Sequence, residues 1–254
     1  MLVKAILGLA AISVIVLVAL FWFATRFGAS IPLPTEATSA SNGIGELTLE
    51  VAADQPLSLV FAGTSLTNRG SWPEALAREL SACRTGPISV QRLAKPGANS
   101  DWGKGQVLSY LSGNTRKPDL LFVEFSINDA SFVRGIPLAK SEANTREIVD
   151  AAKNANVPVI LLTMSPAFGT SGLVRPGQAS YRAIYHQFRQ AGETALVDTV
   201  PAWFALSEEK RTALMPDALH PTMEGMTEIH IPALAAALKP VSYTHLTLPT
   251  SVMV

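Results

Sequence analysis

Four places in this chain carry residues that could take part in chemistry. The first is Ser65, in Gly63-Thr64-Ser65-Leu66-Thr67-Asn68-Arg69-Gly70, directly after the apolar run LSLVFA. A serine just past a buried strand, at a glycine-started turn into a helix, can present its hydroxyl at the sheet edge. It could equally be an ordinary turn or cap residue. The G-x-S-x-G elbow is not met, because Thr67 stands where its second glycine belongs. The second place is Gly97, in Lys95-Pro96-Gly97-Ala98-Asn99-Ser100, where a missing Cβ lets the backbone approach a ligand, or simply turn. It does not open a phosphate loop: Gly97 to Gly103-Lys104 is one residue too long, and Gly105 replaces the required Ser/Thr. The third is the Asn128-Asp129 pair after LLFVEFSI. An asparagine amide there can donate to an oxyanion, and the pair can also serve as a turn and helix cap. The fourth is Asp217-Ala218-Leu219-His220-Pro221. An aspartate three residues before a histidine can fold back onto one ring nitrogen and leave the other free as a base. A capping aspartate beside a surface histidine is the plainer alternative.

These residues sit between short apolar, β-rich runs and amphipathic stretches. Strands are expected at Leu57–Ala62, Ile88–Leu93, Pro118–Phe125, Val157–Thr163 and Ala195–Val200. Helices are expected from Ser71 (SWPEALARELSAC), from a Ser100 cap to about Leu111, and over Glu142–Asn154, Ala179–Ala191 and Thr222–Leu238. Strands alternating with helices at this spacing form right-handed βαβ units. The fold class is therefore α/β, a three-layer α/β/α sandwich around a five-stranded parallel sheet, in one domain over residues 56–240. In such sheets sites form beyond the carboxyl ends of the strands. Loops Ala130–Lys140 and Ala167–Gly177 would shape the substrate cleft.

The ends read differently. Ala5 to Thr25 contains no charged residue, and at the helical rise it spans roughly 31 Å, one hydrocarbon core. Residues 1–26 are expected to be a transmembrane anchor with a cytoplasmic N-terminus; a cleaved signal peptide is the alternative. Either way the rest of the chain is expected on the periplasmic or extracellular side, anchored or secreted. Residues 27–55, rich in Ser, Thr, Ala, Gly and Pro, read as a tether with one short strand at Glu46–Val51. Val241 to Thr250, VSYTHLTLPT, resembles the conceptual translation of a transposase-based sequencing adaptor. Residues 241–254 are thus expected to be a non-native tail, and His245 is set aside; a C-terminal strand is the alternative.

Composition narrows the function. Twenty Lys+Arg balance twenty Asp+Glu across 254 residues, which argues against a nucleic-acid binder. The single cysteine, Cys83, excludes an intramolecular disulfide and a cysteine zinc site; it is expected to be a small buried residue on the first helix. No His and carboxylate set has metal spacing, so neither metal nor other cofactor is expected. His186 and His230 read as helix-face residues, Trp102 as cleft lining or core, and Glu208–Arg211 as a solvated helix face.

Ser65, Gly97, Asn128 and Asp217/His220, in that order, resemble the four blocks of the SGNH hydrolase family, also called GDSL-type esterases and lipases. The resemblance runs from about Leu57 to Met223. It implies strand order 2-1-3-4-5 and a serine esterase: Ser65 as nucleophile, His220 as base, Asp217 orienting it. The oxyanion hole would be the Ser65 and Gly97 N–H groups with the Asn128 side chain. Thr64 replaces the family's aspartate before the serine, Ser126 replaces a glycine of the third block, and the second block lacks a close second glycine. The implied substrates are small-molecule or polysaccharide esters of short acyl groups, with the membrane as the other partner. A non-catalytic carbohydrate-binding or envelope-assembly module on the same fold is the alternative; oligomeric state is not readable.

Overall fold

The computed structural model describes residues 12–20, 43–44, 47–49 and 51–240. The strands are β1 (Gly43–Ile44), β2 (Leu47–Leu49), β3 (Leu57–Gly63), β4 (Ile88–Ala94), β5 (Leu120–Glu124), β6 (Val159–Thr163), β7 (Ala195–Asp198) and β8 (Leu238–Pro240). The main sheet runs β1-β7-β6-β5-β3-β4. Its parallel strands β3 to β7 have the expected 2-1-3-4-5 order. The sheet is nevertheless six-stranded: β1, drawn from the stretch expected to be a tether, pairs antiparallel with β7. The strand expected at Glu46–Val51 forms as β2, beside β8 in a separate two-stranded sheet. The Arg84 guanidinium ties the end of this stretch down through the carbonyls of Val51, Ala52 and Gln55.

The strand sequences explain the layering. β5 (LLFVE) and β6 (VILLT) are buried along their whole length, as strands covered by helices on both faces must be. Side chains alternate between faces with period 2. Leu59, Phe61, Phe122, Ile160 and Leu162 point to one core, under Trp72, Leu76 and Leu80 of the helix Trp72–Ser81 and Leu234 of the last helix. Val60, Ala62, Leu121, Val123 and Leu161 point to the other, under Val107, Ile148 and Phe188 of the helices Ser100–Gly113, Leu138–Asn154 and Gln178–Gln190. Phe61 stacks on Phe122 with centroids 4.4 Å apart and meets Trp72 edge-on at 5.2 Å.

Three local expectations change. The first long helix stops at Ser81, so Cys83 falls on a turn and is exposed, not buried. Asn99, rather than Ser100, caps the next helix, accepting from the Trp102 N–H. The expected Thr222–Leu238 helix contains a π turn, Met226–His230, between Met223–Gly225 and Ile231–Ala237. Pro232 lacks the N–H that would continue the ordinary ladder there. His230 is consequently not a helix-face residue: it is fully buried, accepting at Nε2 from the Trp203 indole N–H (3.3 Å) and placing Nδ1 2.7 Å from the Thr199 hydroxyl. Burial lowers its pKa to about 3, so the ring is neutral.

Residues 12–20 are helical with exposed apolar side chains. Among the described residues no helix is long and apolar enough to cross a membrane. The expected anchor over Ala5–Thr25 extends beyond the described residues, and the 241–254 tail lies outside them.

Gly103 shows how closely the layers approach, since a Cβ there would overlap the Phe125 ring. Alanine would gain about 1 kcal/mol of helix propensity. Overpacking costs about 1–3 kcal/mol and should win. Gly103→Ala is expected to lower the urea midpoint with an unchanged m-value.

Candidate active site

The site lies at the carboxyl ends of β3, β4 and β5. Ser65 opens the short helix Ser65–Arg69, capped by Thr64, whose hydroxyl accepts from the Leu66 N–H at 3.3 Å. As the first helical residue, Ser65 keeps a backbone N–H without an intrahelical acceptor. Its hydroxyl is 2.8 Å from His220 Nε2. His220 Nδ1 is 2.6 Å from Asp217 Oδ2, and Asp217 Oδ1 accepts from the N–H groups of Leu219 (3.0 Å) and His220 (2.7 Å). A carboxylate at Nδ1 holds the proton on that nitrogen and leaves Nε2 to accept from the serine. Desolvation works against Asp217 ionising, but the residue is exposed, and the hydrogen bonds from His220 and Leu219 outweigh it and pull its pKa below the usual carboxylate range. The turn between them is strained: Ala218 has φ 57°, a left-handed conformation costing about 1–2 kcal/mol for an L-residue. It is held by the bond from the Ala218 N–H to the Met215 carbonyl and by the Phe168 N–H on the Ala218 carbonyl.

The remaining expected residues converge on the same cleft, of about 190 Å³, lined by Ser65, Gly97, Asn128 and His220 among others. Gly97 has φ 75°, and its N–H has no acceptor among the described residues. Asn128 is 6% exposed. One of its amide hydrogens goes to the Ala98 carbonyl at 2.9 Å, its Oδ1 faces Arg175, and the second amide hydrogen is available to a ligand. The Asn-Asp pair divides its work. Asp129 turns inward and accepts from the Ser100 N–H (2.7 Å) and the Ser141 hydroxyl (2.6 Å), pinning the helix that follows Gly97. Burial raises its pKa to about 6. His186 meets Asp198 at 2.7 Å, away from the cleft. Trp102 packs on the core and under Lys95. Among the described residues no His, Cys, Asp and Glu group could hold a metal.

Sequence reasoning missed Glu124. It closes β5 and is 2% exposed. Its Oε1 accepts from the Thr64 N–H (2.7 Å), the Thr64 hydroxyl (2.8 Å) and the Thr67 hydroxyl (2.8 Å). A Cβ at Gly63 would overlap this carboxyl. Glu124 thus supplies, from the neighbouring strand, a carboxyl beneath the turn whose own sequence lacks one. The only available signal was an acidic residue ending an otherwise apolar run. Burial raises its pKa to about 7 against the hydrogen bonds that favour the charge. Because the folded pKa exceeds the unfolded one, its stabilisation is complete below about pH 4.5 and lost as pH rises through about 7. Urea unfolding at pH 5 and pH 8 should show wild type losing stability relative to Glu124→Gln at the higher pH. Parallel pH profiles would refute the assignment.

No curated protein matches the sequence. Solved structures that match include TesA (TM-score 0.56, 18% identity, 71% of this chain and 99% of that chain). Another is the lipase/acylhydrolase from Enterococcus faecalis (0.57, 20%, 71% and 92%). A third is Axe2, an acetylxylan esterase from Geobacillus stearothermophilus (0.57, 21%, 74% and 94%). At these identities the likeness establishes the fold. The model of the GDSL-like lipase/acylhydrolase family matches residues 58–227, well over half of the 254. The chain belongs to that family, serine hydrolases that act on ester bonds.

Proposed function

We propose that Ser65, His220 and Asp217 form the catalytic triad of an esterase for short acyl groups, with the Ser65 and Gly97 N–H groups and the Asn128 amide as oxyanion hole. The observation that carries this reading is the continuous chain Ser65 Oγ, His220 Nε2, His220 Nδ1, Asp217 Oδ2, with links of 2.8 and 2.6 Å. Ser65 Oγ attacks the ester carbonyl carbon as Nε2 takes its proton. The carbonyl oxygen becomes an oxyanion, and each donor facing it is worth about 3–4 kcal/mol in the transition state. The intermediate collapses, the C–O bond to the alcohol breaks, and the imidazolium protonates the leaving alkoxide. Water, deprotonated by His220, then attacks the acyl-serine and releases the acid. Asp217 orients the ring and stabilises the imidazolium.

The cleft supports a short acyl group. Its 190 Å³ falls below the roughly 300–1,000 Å³ of pockets for drug-sized ligands. The alcohol side can be a small molecule or a polysaccharide; the acetylxylan esterase Axe2 has this fold with an acetylated sugar polymer as substrate. The charge-free run Ala5–Thr25 supports a membrane tether with the hydrolase domain outside the cytoplasm.

Ser65→Ala should cut turnover of 4-nitrophenyl acetate by about a millionfold with an unchanged circular dichroism spectrum, and should abolish labelling by a fluorophosphonate. Acetate should be preferred to octanoate. A wild-type protein that neither labels nor hydrolyses any ester would leave the binding-module alternative in its place.

A further inference from the structure

The cleft carries more positive charge than ester hydrolysis requires. Arg69, Arg134 and Arg175 all line it beside Ser65 and His220. Elsewhere Arg92, Arg146 and Arg182 each meet a carboxylate. Among the described residues none of the three cleft arginines does. Among the described residues no carboxylate lines the cleft: Glu124 and Asp129 turn away beneath it onto Thr64, Thr67, Ser100 and Ser141, and Asp217 is committed to His220.

Two of the three are placed with some precision. Arg175 is 8% exposed. It is fixed by donation from Nε to the Ile127 carbonyl (3.0 Å) and from Nη1 to the Ser171 carbonyl (3.0 Å), with Nη2 3.5 Å from Asn128 Oδ1. Neutral carbonyls orient a guanidinium without cancelling its charge. Arg134 lies over Gly97, where its Nη1 occupies the space a Cβ would take. The two cations are near enough to repel: burial, then the charge of Arg134, both lower the Arg175 pKa. Two like charges brought together at a reactive cleft, one of them buried, persist when a ligand of opposite charge is what they serve. A guanidinium pair presents paired N–H donors that match the oxygens of a carboxylate or phosphate.

We propose that the natural substrate is an ester whose alcohol portion carries an anionic oxygen group, a carboxylate or a phosphate, held by Arg134 and Arg175. This rests on the esterase reading above and names its substrate class. The anion stays intact throughout. It sets the alcohol's orientation while Ser65 attacks the acyl carbon, and leaves with the alcohol.

The test uses three acetyl esters that differ only in the ring substituent: 4-acetoxybenzoate, 4-acetoxyphenyl phosphate and the neutral 4-acetoxybenzamide. Each kcat/KM is normalised to the ester's hydroxide-catalysed rate. At low salt at least one anionic ester should exceed the neutral one by about tenfold, the scale of one charge-assisted hydrogen bond, and the excess should shrink as salt screens the site. The better of the two identifies the anion. Arg134→Gln should bring the ratio to near one, whereas Arg116→Gln, an exposed arginine outside the cleft, should leave it as in wild type. An Arg134 that served only the oxyanion would slow all three esters alike and leave the ratio intact, overturning the proposal. So would a ratio of one or less for both anions in wild type. In either case Ser65-dependent hydrolysis of 4-acetoxybenzamide would keep the esterase reading standing; no hydrolysis of any ester would end both.

Discussion

The hydrogen bond between the Ser65 hydroxyl and the His220 ring joins residues 155 positions apart, and most of the local architecture around the cleft serves to keep that distance at 2.8 Å. A serine hydroxyl bonded to a neutral imidazole is worth little by itself, about 1 kcal/mol net. It cannot hold two loops together against their entropy. The loops must therefore be fixed by other means, and they are fixed from both sides. On the serine side, Glu124 reaches from β5 to grip Thr64 and Thr67 on either side of Ser65. On the histidine side, Asp217 closes a turn tight enough to force Ala218 into a left-handed conformation. The Phe168 N–H anchors that turn to the segment after β6. The strain at Ala218 and the buried acid at Glu124 are stability given up for a preset geometry.

The electrostatics of the cleft follow from where each charge can be solvated. Glu124 and Asp129 are buried, and desolvation dominates them, pushing both pKa values up toward neutrality. Asp217 is exposed, so hydrogen bonds dominate and the carboxylate is favoured. One side-chain type thus gives two protonation behaviours, and the ionised carboxylate is the one touching His220. The arginines differ again, because a guanidinium stays charged even when desolvated. An acidic group in this setting can shed its charge, whereas Arg175 keeps its charge among neutral acceptors on Ile127, Ser171 and Asn128.

How much of this could be read from the chain depends on whether the information was local. Ser65, Asn128 and the Asp217–His220 pair were legible because each lies within a few residues of a strand end or turn that the apolar pattern marks. The order of the parallel strands came with the family resemblance. Glu124 was not legible, because its role exists only once β5 lies beside β3 in register, with Gly63 opposite it. Arg134 and Arg175 sit in the two loops expected to shape the cleft, yet nothing in their sequence says that they face one another. The strand β1 is two residues long, too short to show a period, whereas β2 falls within the run expected as a strand at Glu46–Val51. His230 was misread because the π turn around it departs from the 3.6-residue spacing on which a helix face is assigned. Cys83 was misread because its helix ended two residues sooner.

The topology also explains why the chemistry divides between the two halves of the chain. β3 is flanked by β4 and β5, its neighbours on either side. Adjacent strands lie about 4.8 Å apart, so groups at their three carboxyl ends line one small cleft without any loop having to travel. That fixes Ser65, Gly97 and Asn128, the proposed nucleophile and oxyanion donors, early in the sequence and leaves little freedom there. His220, the proposed base, arrives on a turn after the last main-sheet strand, and Arg175 on the segment after β6. These connections tolerate change in length and side chain without disturbing sheet register. The proposed oxyanion site is therefore the part of the cleft set by the fold, and the arginine-lined side, where we propose the alcohol is recognised, is the part free to vary on it.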